Sequence, residues 1–122
     1  MVNKKNFINA ITQDIDMIKG DTLAFNFELQ GLEGDLPTNI VFSCAEHYDD
    51  IAPLFTAEVG DGITREEYEN ATDTALYSVR IDPNKTSGLG LARYYYDLQL
   101  TYNDDVITLM RGRLTLLYDV TR

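Results

Sequence analysis

The chain has no tryptophan, one cysteine, one histidine and only three prolines. The lone cysteine, Cys44, excludes an intramolecular disulfide and fits synthesis in a reducing, cytosolic compartment. The lone histidine, His47, excludes multi-histidine metal sites and leaves any histidine-based triad dependent on a single residue. No segment approaches the roughly 18 apolar residues of a membrane span. The opening Met-Val-Asn-Lys-Lys-Asn-Phe-Ile-Asn-Ala-Ile carries two lysines without a signal-length apolar run behind them, so neither export by that route nor membrane insertion is expected. Basic residues are also scarce. Ten Lys and Arg stand against twenty Asp and Glu, a formal net charge of -10, which repels nucleic-acid backbones and anionic membrane surfaces as partners. The acidic residues are scattered rather than run together, as on a solvated surface.

What is present is alternation. With 122 residues, 44% of them hydrophobic, the chain is long enough for one domain with a core of its own. Tyr94, Tyr96, Leu98, Leu100 and Tyr102 recur at every second residue, while Tyr95, Asp97, Gln99 and Thr101 point the other way. With Asn103-Asp104-Asp105 as the turn and residues 106–118 as the return strand, this segment reads as a β-hairpin. Gly112 falls where the alternation of the return strand becomes ambiguous, as at a bulge. Further strands are expected at residues 15–19, at Leu23, Phe25, Phe27 and Leu29, at Ile40, Phe42 and Cys44, at residues 54–59, and at Ala75, Tyr77, Val79 and Ile81. Thr64-Arg-Glu-Glu-Tyr-Glu-Asn70 is too short and polar for a stable helix and reads as a loop. Pro83 to Ser87 reads as one helical turn.

About seven short strands without a long helix predict an all-β fold, an antiparallel sandwich or a small barrel, with an immunoglobulin-like β-sandwich spanning residues 15–122 as the preferred reading. Gly90-Leu-Ala-Arg-Tyr94 is similar to the tyrosine corner of immunoglobulin-like domains, with Tyr94 as the corner and Tyr96 at the position of the usual disulfide cysteine. Residues 1–14 are expected to be a short N-terminal arm, and its polar residues 1–13 are open to a short helix, an arm or a strand added to a neighbour. There Phe7, Ile8 and Ile11 are the candidate assembly contacts, able to set register if the arm adds a strand to a neighbour's sheet edge.

No residue pattern forms a catalytic, cofactor-binding or metal-binding signature. Cys44 and His47 lie three residues apart, which on a strand places them on opposite faces, so Cys44 reads as buried filler rather than a nucleophile. Asp49-Asp50, Asp61, Asp73 and Asn103-Asp104-Asp105 have no calcium-loop spacing, and the last group is turn chemistry. Gly88-Leu-Gly90 lacks the strand-to-helix setting of a phosphate loop. The eight tyrosines offer an exposed aromatic, Tyr95, beside Asp97 and Gln99. That trio could serve as a sugar platform, although strand packing and protein–protein interfaces use tyrosine in the same way.

Ile18-Lys-Gly-Asp-Thr22 opening an alternating strand, then Gly90-Leu-Ala-Arg-Tyr-Tyr-Tyr-Asp97-Leu-Gln-Leu, then Ile107-Thr-Leu-Met-Arg-Gly112-Arg-Leu-Thr-Leu-Leu-Tyr-Asp-Val-Thr121 follow one another across most of residues 15–121. In that order they resemble phage tail and baseplate structural domains, in particular the N-terminal domains of baseplate upper proteins. The resemblance implies a non-enzymatic virion component of a phage or prophage, in tail, baseplate or neck. It would be made in the bacterial cytoplasm and assembled with itself, as a homo-oligomer in the particle, or with other phage structural proteins, without cofactor, nucleic acid or membrane. The alternative from a different class is a carbohydrate-binding β-sandwich module.

Overall fold

The alternating segments form the strands of an all-β chain in the computed structural model, which describes residues 11–32, 36–50, 52–102 and 104–118. Among the described residues nine strands run in chain order: β1 (Ile11–Thr12), β2 (Ile15–Ile18), β3 (Leu23–Gln30), β4 (Asn39–Ala45), β5 (Phe55–Val59), β6 (Gly62–Glu69), β7 (Thr74–Ile81), β8 (Arg93–Tyr102) and β9 (Asp105–Leu117). A one-turn 3-10 helix, Pro83–Lys85, links β7 to the approach to β8. Among the described residues no helix is long and apolar enough to cross a membrane.

The strands join into one sheet in the order β1-β9-β8-β4-β5-β6-β7-β3, with β2 also pairing with β9. The sheet curls into a nearly barrel-shaped body. Phe25 of β3 and Phe42 of β4, far apart in strand order, bring their ring centres within 6.2 Å. Phe42 is the hub of the core: its ring stacks on Tyr96 at 5.3 Å and on Phe55 at 6.3 Å, and it is fully buried. Tyr94, Tyr96, Leu98, Leu100 and Tyr102 all face this core.

The pairing is mixed rather than purely antiparallel. β1 and β2 run parallel to β9, and β5 runs parallel to β6 through the pairs Glu58 with Gly62 and Val59 with Ile63. A parallel neighbour normally needs a long crossover. Here Gly60 and Asp61 alone make the link, with Glu58 and Asp61 exchanging backbone hydrogen bonds at 2.8 Å each way. Gly60 and Gly62 hold φ of 91° and 98°, a region glycine enters without steric cost. A Cβ at Gly62 would in addition stand 2.8 Å from that of Ala57.

Among the described residues the strands number nine rather than about seven because two elements lack alternation. β1 is two residues long. β6 is the segment expected to be a loop: Arg65, Glu66, Glu67 and Glu69 are all exposed, while Ile63 is buried and Tyr68 half-buried. Pairing along β7 overrides the polar, helix-like composition. A bulge between Arg65 and Glu67 breaks the register of that pairing.

The bulge in the terminal hairpin also lies elsewhere than expected. Leu98 pairs with Met110 and Gln99 with Thr108, so Leu109 is the extra residue. Gly112 is in regular pairing with Tyr96 and serves a different purpose. The backbone of Gln13 passes directly over it, and a Cβ at 112 would lie 2.1 Å from the Gln13 carbonyl oxygen. That oxygen accepts the Tyr96 hydroxyl. The Arg113 N–H donates to Asp14 Oδ1 at 3.0 Å, and the Gln13 N–H donates to the Arg111 carbonyl at 2.9 Å. Residues 11–14 of the expected arm thus lie along β9, and β2 continues the parallel pairing with Met17 buried.

Candidate functional site

The Leu109 bulge builds the most distinctive surface of the molecule. If the hairpin paired regularly outward from Tyr102 and Asp105, Asp97 would face Met110 and Arg111 would fall on the core face beside Tyr96. The extra residue shifts the phase of β9 by one, so Arg111 emerges on the outer face directly opposite Asp97. Re-aiming a side chain in this way is a recurrent use of bulges. On the other side of β8, β4 places Ser43 against Asp97 and Ala45 against Tyr95.

The connection from β4 to β5 folds back over this face. The His47 N–H donates to Asp50 Oδ2 at 2.9 Å and the Asp50 N–H to the His47 carbonyl at 3.2 Å, which closes the turn. Tyr48 is thereby brought against Tyr95, ring centres 4.3 Å apart and planes tilted by 42°. The Arg111 guanidinium lies over the Tyr48 ring at 4.6 Å, a cation–π contact that holds both side chains in place. Between the turn and the sheet is an open cleft of about 190 Å³, lined among others by Ser43, Tyr48, Tyr95, Asp97 and Gln99.

Asp97 is the unusual group in this cleft. Its side chain is half-buried and accepts no hydrogen bond from another described residue. Burial raises its carboxyl above the ordinary carboxylate range, and the nearby Arg111 charge only partly opposes that shift. Gln99 donates through Nε2 to Thr108 Oγ1 at 3.2 Å, which leaves its carbonyl oxygen as an acceptor. The cleft therefore combines aromatic faces with acceptor oxygens.

The other singled-out residues lie apart from it. Tyr94 is buried, and its hydroxyl donates to the Gly90 carbonyl, four residues upstream, at 2.8 Å. Phe7 and Ile8 lie outside the described residues; Ile11 is in β1, paired with Met110. Cys44 is fully buried, and burial pushes its thiol up to about 12, which suppresses the reactive thiolate. His47 is exposed beyond the end of β4. Among the described residues no three His, Cys, Asp or Glu side chains gather in a metal-binding arrangement. Sequence periodicity picks out Tyr95, Asp97 and Gln99 but misses Tyr48, which sits in an irregular connection, and Arg111, whose outward face depends on the bulge.

No protein-family model matches this chain, and no curated protein shows significant similarity to it. What the geometry defines is an all-β domain with an aromatic, acceptor-lined cleft on its outer face.

Proposed function

We propose that the chain is a non-enzymatic structural domain of a phage or prophage particle, a tail, baseplate or neck component acting by protein–protein assembly. It would be made in the bacterial cytoplasm and then built into the virion. Its fold would be an immunoglobulin-like β-sandwich related to the N-terminal domains of baseplate upper proteins. Two features support that finer description. Only two residue pairs, Glu58 with Gly62 and Val59 with Ile63, join β9-β8-β4-β5, extended by β1 and β2, to β6-β7-β3. The bond from Tyr94 back to Gly90 has the geometry of a tyrosine corner.

The observation that carries the assembly reading is the edge at β3. Among the described residues β3 pairs only with β7, through eight consecutive positions without a bulge. It carries one charge, Glu28, and no lysine or proline. Monomeric proteins blunt such an edge with charges, bulges or prolines, because a bare row of backbone donors and acceptors recruits another strand. β3 is an open template for strand addition, and a second copy of the chain, or a neighbouring particle protein, would be the strand donor.

Light scattering on purified protein tests this with the double variant Ala24→Lys/Asn26→Lys, both exposed positions of β3. Concentration-dependent association of the native chain, weakened in a variant of unchanged melting temperature, supports edge assembly. A native chain that is monomeric throughout, and that fails to join particles any differently when the lysines are present, overturns it.

A further inference from the structure

The cleft beneath Tyr48 fits a ligand class that strand-edge assembly does not use. We propose that Tyr48, Tyr95, Asp97, Ser43 and Gln99 form a binding site for a neutral pyranoside, a single sugar ring of a glycan. The inference rests on the cleft alone and stands or falls independently of assembly at β3.

Three observations define the ligand. First, the polar groups of the lining include acceptor oxygens beside hydroxyls that can donate or accept. Asp97 offers both carboxylate oxygens, Gln99 its remaining carbonyl oxygen, and Ser43 lies directly beside Asp97 on β4. A partly desolvated carboxylate with no hydrogen-bond donor among the described residues calls for donors from outside, and adjacent sugar hydroxyls supply two at once. Second, the tilted Tyr48–Tyr95 pair gives the cleft an apolar wall, suited to the C–H face of a pyranose ring. Aromatic walls with a few convergent polar groups are the usual make-up of small-molecule sites. Third, Arg111 already covers the Tyr48 ring and sits opposite Asp97. A second guanidinium or ammonium entering the cleft would meet that charge at short range. A donor-rich but uncharged ligand is favoured over a basic side chain.

The site is also held in advance. The hydrogen bonds between His47 and Asp50 fix the turn that carries Tyr48, Arg111 clamps its ring, and Tyr95 and Asp97 stand on a central strand. A ligand would not have to order these groups on binding, which favours affinity.

The test is two-dimensional amide NMR of the full chain titrated with the methyl glycosides of glucose, galactose, N-acetylglucosamine and rhamnose. N-acetyl-arginine methylamide serves as a cationic probe. The expected result is saturable shifts for at least one glycoside, confined to amides around residues 43–50, 95–99 and 111. Affinity should fall about tenfold in Asp97→Asn and in Tyr95→Ala, and survive in Tyr95→Phe, which keeps the ring. Comparison of amide spectra separates loss of binding from loss of fold, and Tyr95→Phe and Asp97→Asn are conservative enough to keep the fold. No saturable shift with any glycoside, shifts unaltered in Asp97→Asn and Tyr95→Ala, or saturation by the arginine probe alone would each overturn the proposal.

Discussion

The carbonyl oxygen of Gln13 rests against Gly112 so closely that a Cβ at position 112 would lie 2.1 Å from it. The same oxygen accepts the Tyr96 hydroxyl, so the approach of the N-terminal segment to β9 is coupled to the ring that stacks on Phe42. Gly112→Ala is therefore expected to lift residues 11–14 off β9 and lower stability by about 1–3 kcal/mol, the range of core overpacking. Chemical denaturation measures it. A chain beginning at residue 15 should likewise unfold at lower denaturant than one beginning at residue 11, and equal midpoints would contradict the coupling.

Phe42 touches rings from three other strands. Its replacement by alanine removes the hub of the core and is expected to cost about 3–5 kcal/mol. A loss under about 1 kcal/mol in equilibrium unfolding would show that the curled sheet is held chiefly elsewhere.

Removing the bulge residue Leu109 joins Thr108 to Met110 in regular pairing and keeps the partners on either side, Gln99 with Thr108 and Asp97 with Arg111. Arg111 is therefore expected to stay on the outer face over Tyr48, with amide shifts around Tyr48 close to native in two-dimensional NMR. Shifts there that report loss of the Arg111 contact would contradict this register.

Asp97 has a folded pKa above its unfolded value. Folding thus favours the neutral carboxyl: the contribution is present in acid, below the unfolded pKa, and is lost as pH rises through the folded pKa. At neutral pH, Asp97→Asn should be as stable as the native chain or more so, with the difference shrinking in acid. Thermal melts at both pH values decide it, and a clear loss of stability at neutral pH would contradict it.

Burial raises Cys44 from 9.0 and Tyr96 from 10.0, each to about 12. Tyr77 and Tyr94 are raised for the same first cause. In each case the unfolded chain loses its proton first, so stability should hold at neutral pH and decline as pH rises from about 9 toward about 12. In the native state Cys44 should resist iodoacetamide and react only on unfolding. Rapid native labelling would contradict its burial.

Much of this architecture can be read from alternation. Leu23 to Leu29, Ile40 to Cys44, Ala75 to Ile81 and Tyr94 to Tyr102 each bury one face, and period-two spacing records that directly. β6 is not legible, because its residues from Thr64 to Glu67 are exposed on both faces and only partnership with β7 makes them a strand. The parallel seating of β1 and β2 on β9 is a tertiary choice, marked in the sequence only by Gly112, where the Gln13 backbone leaves no room for a Cβ. Tyr95 and Asp97 were legible as outward neighbours on one strand. Their partners Tyr48 and Arg111 were not, since one sits in an aperiodic turn and the other owes its direction to a single unpaired residue.

The proposed structural role is tested most directly by quantitative mass spectrometry of phage-like particles purified from the organism that encodes the chain, with and without Ala24→Lys/Asn26→Lys. Peptides in fixed stoichiometry to the tail proteins, reduced by the edge lysines, are the expected result. Intact particles that contain none of the chain would contradict the proposed structural role.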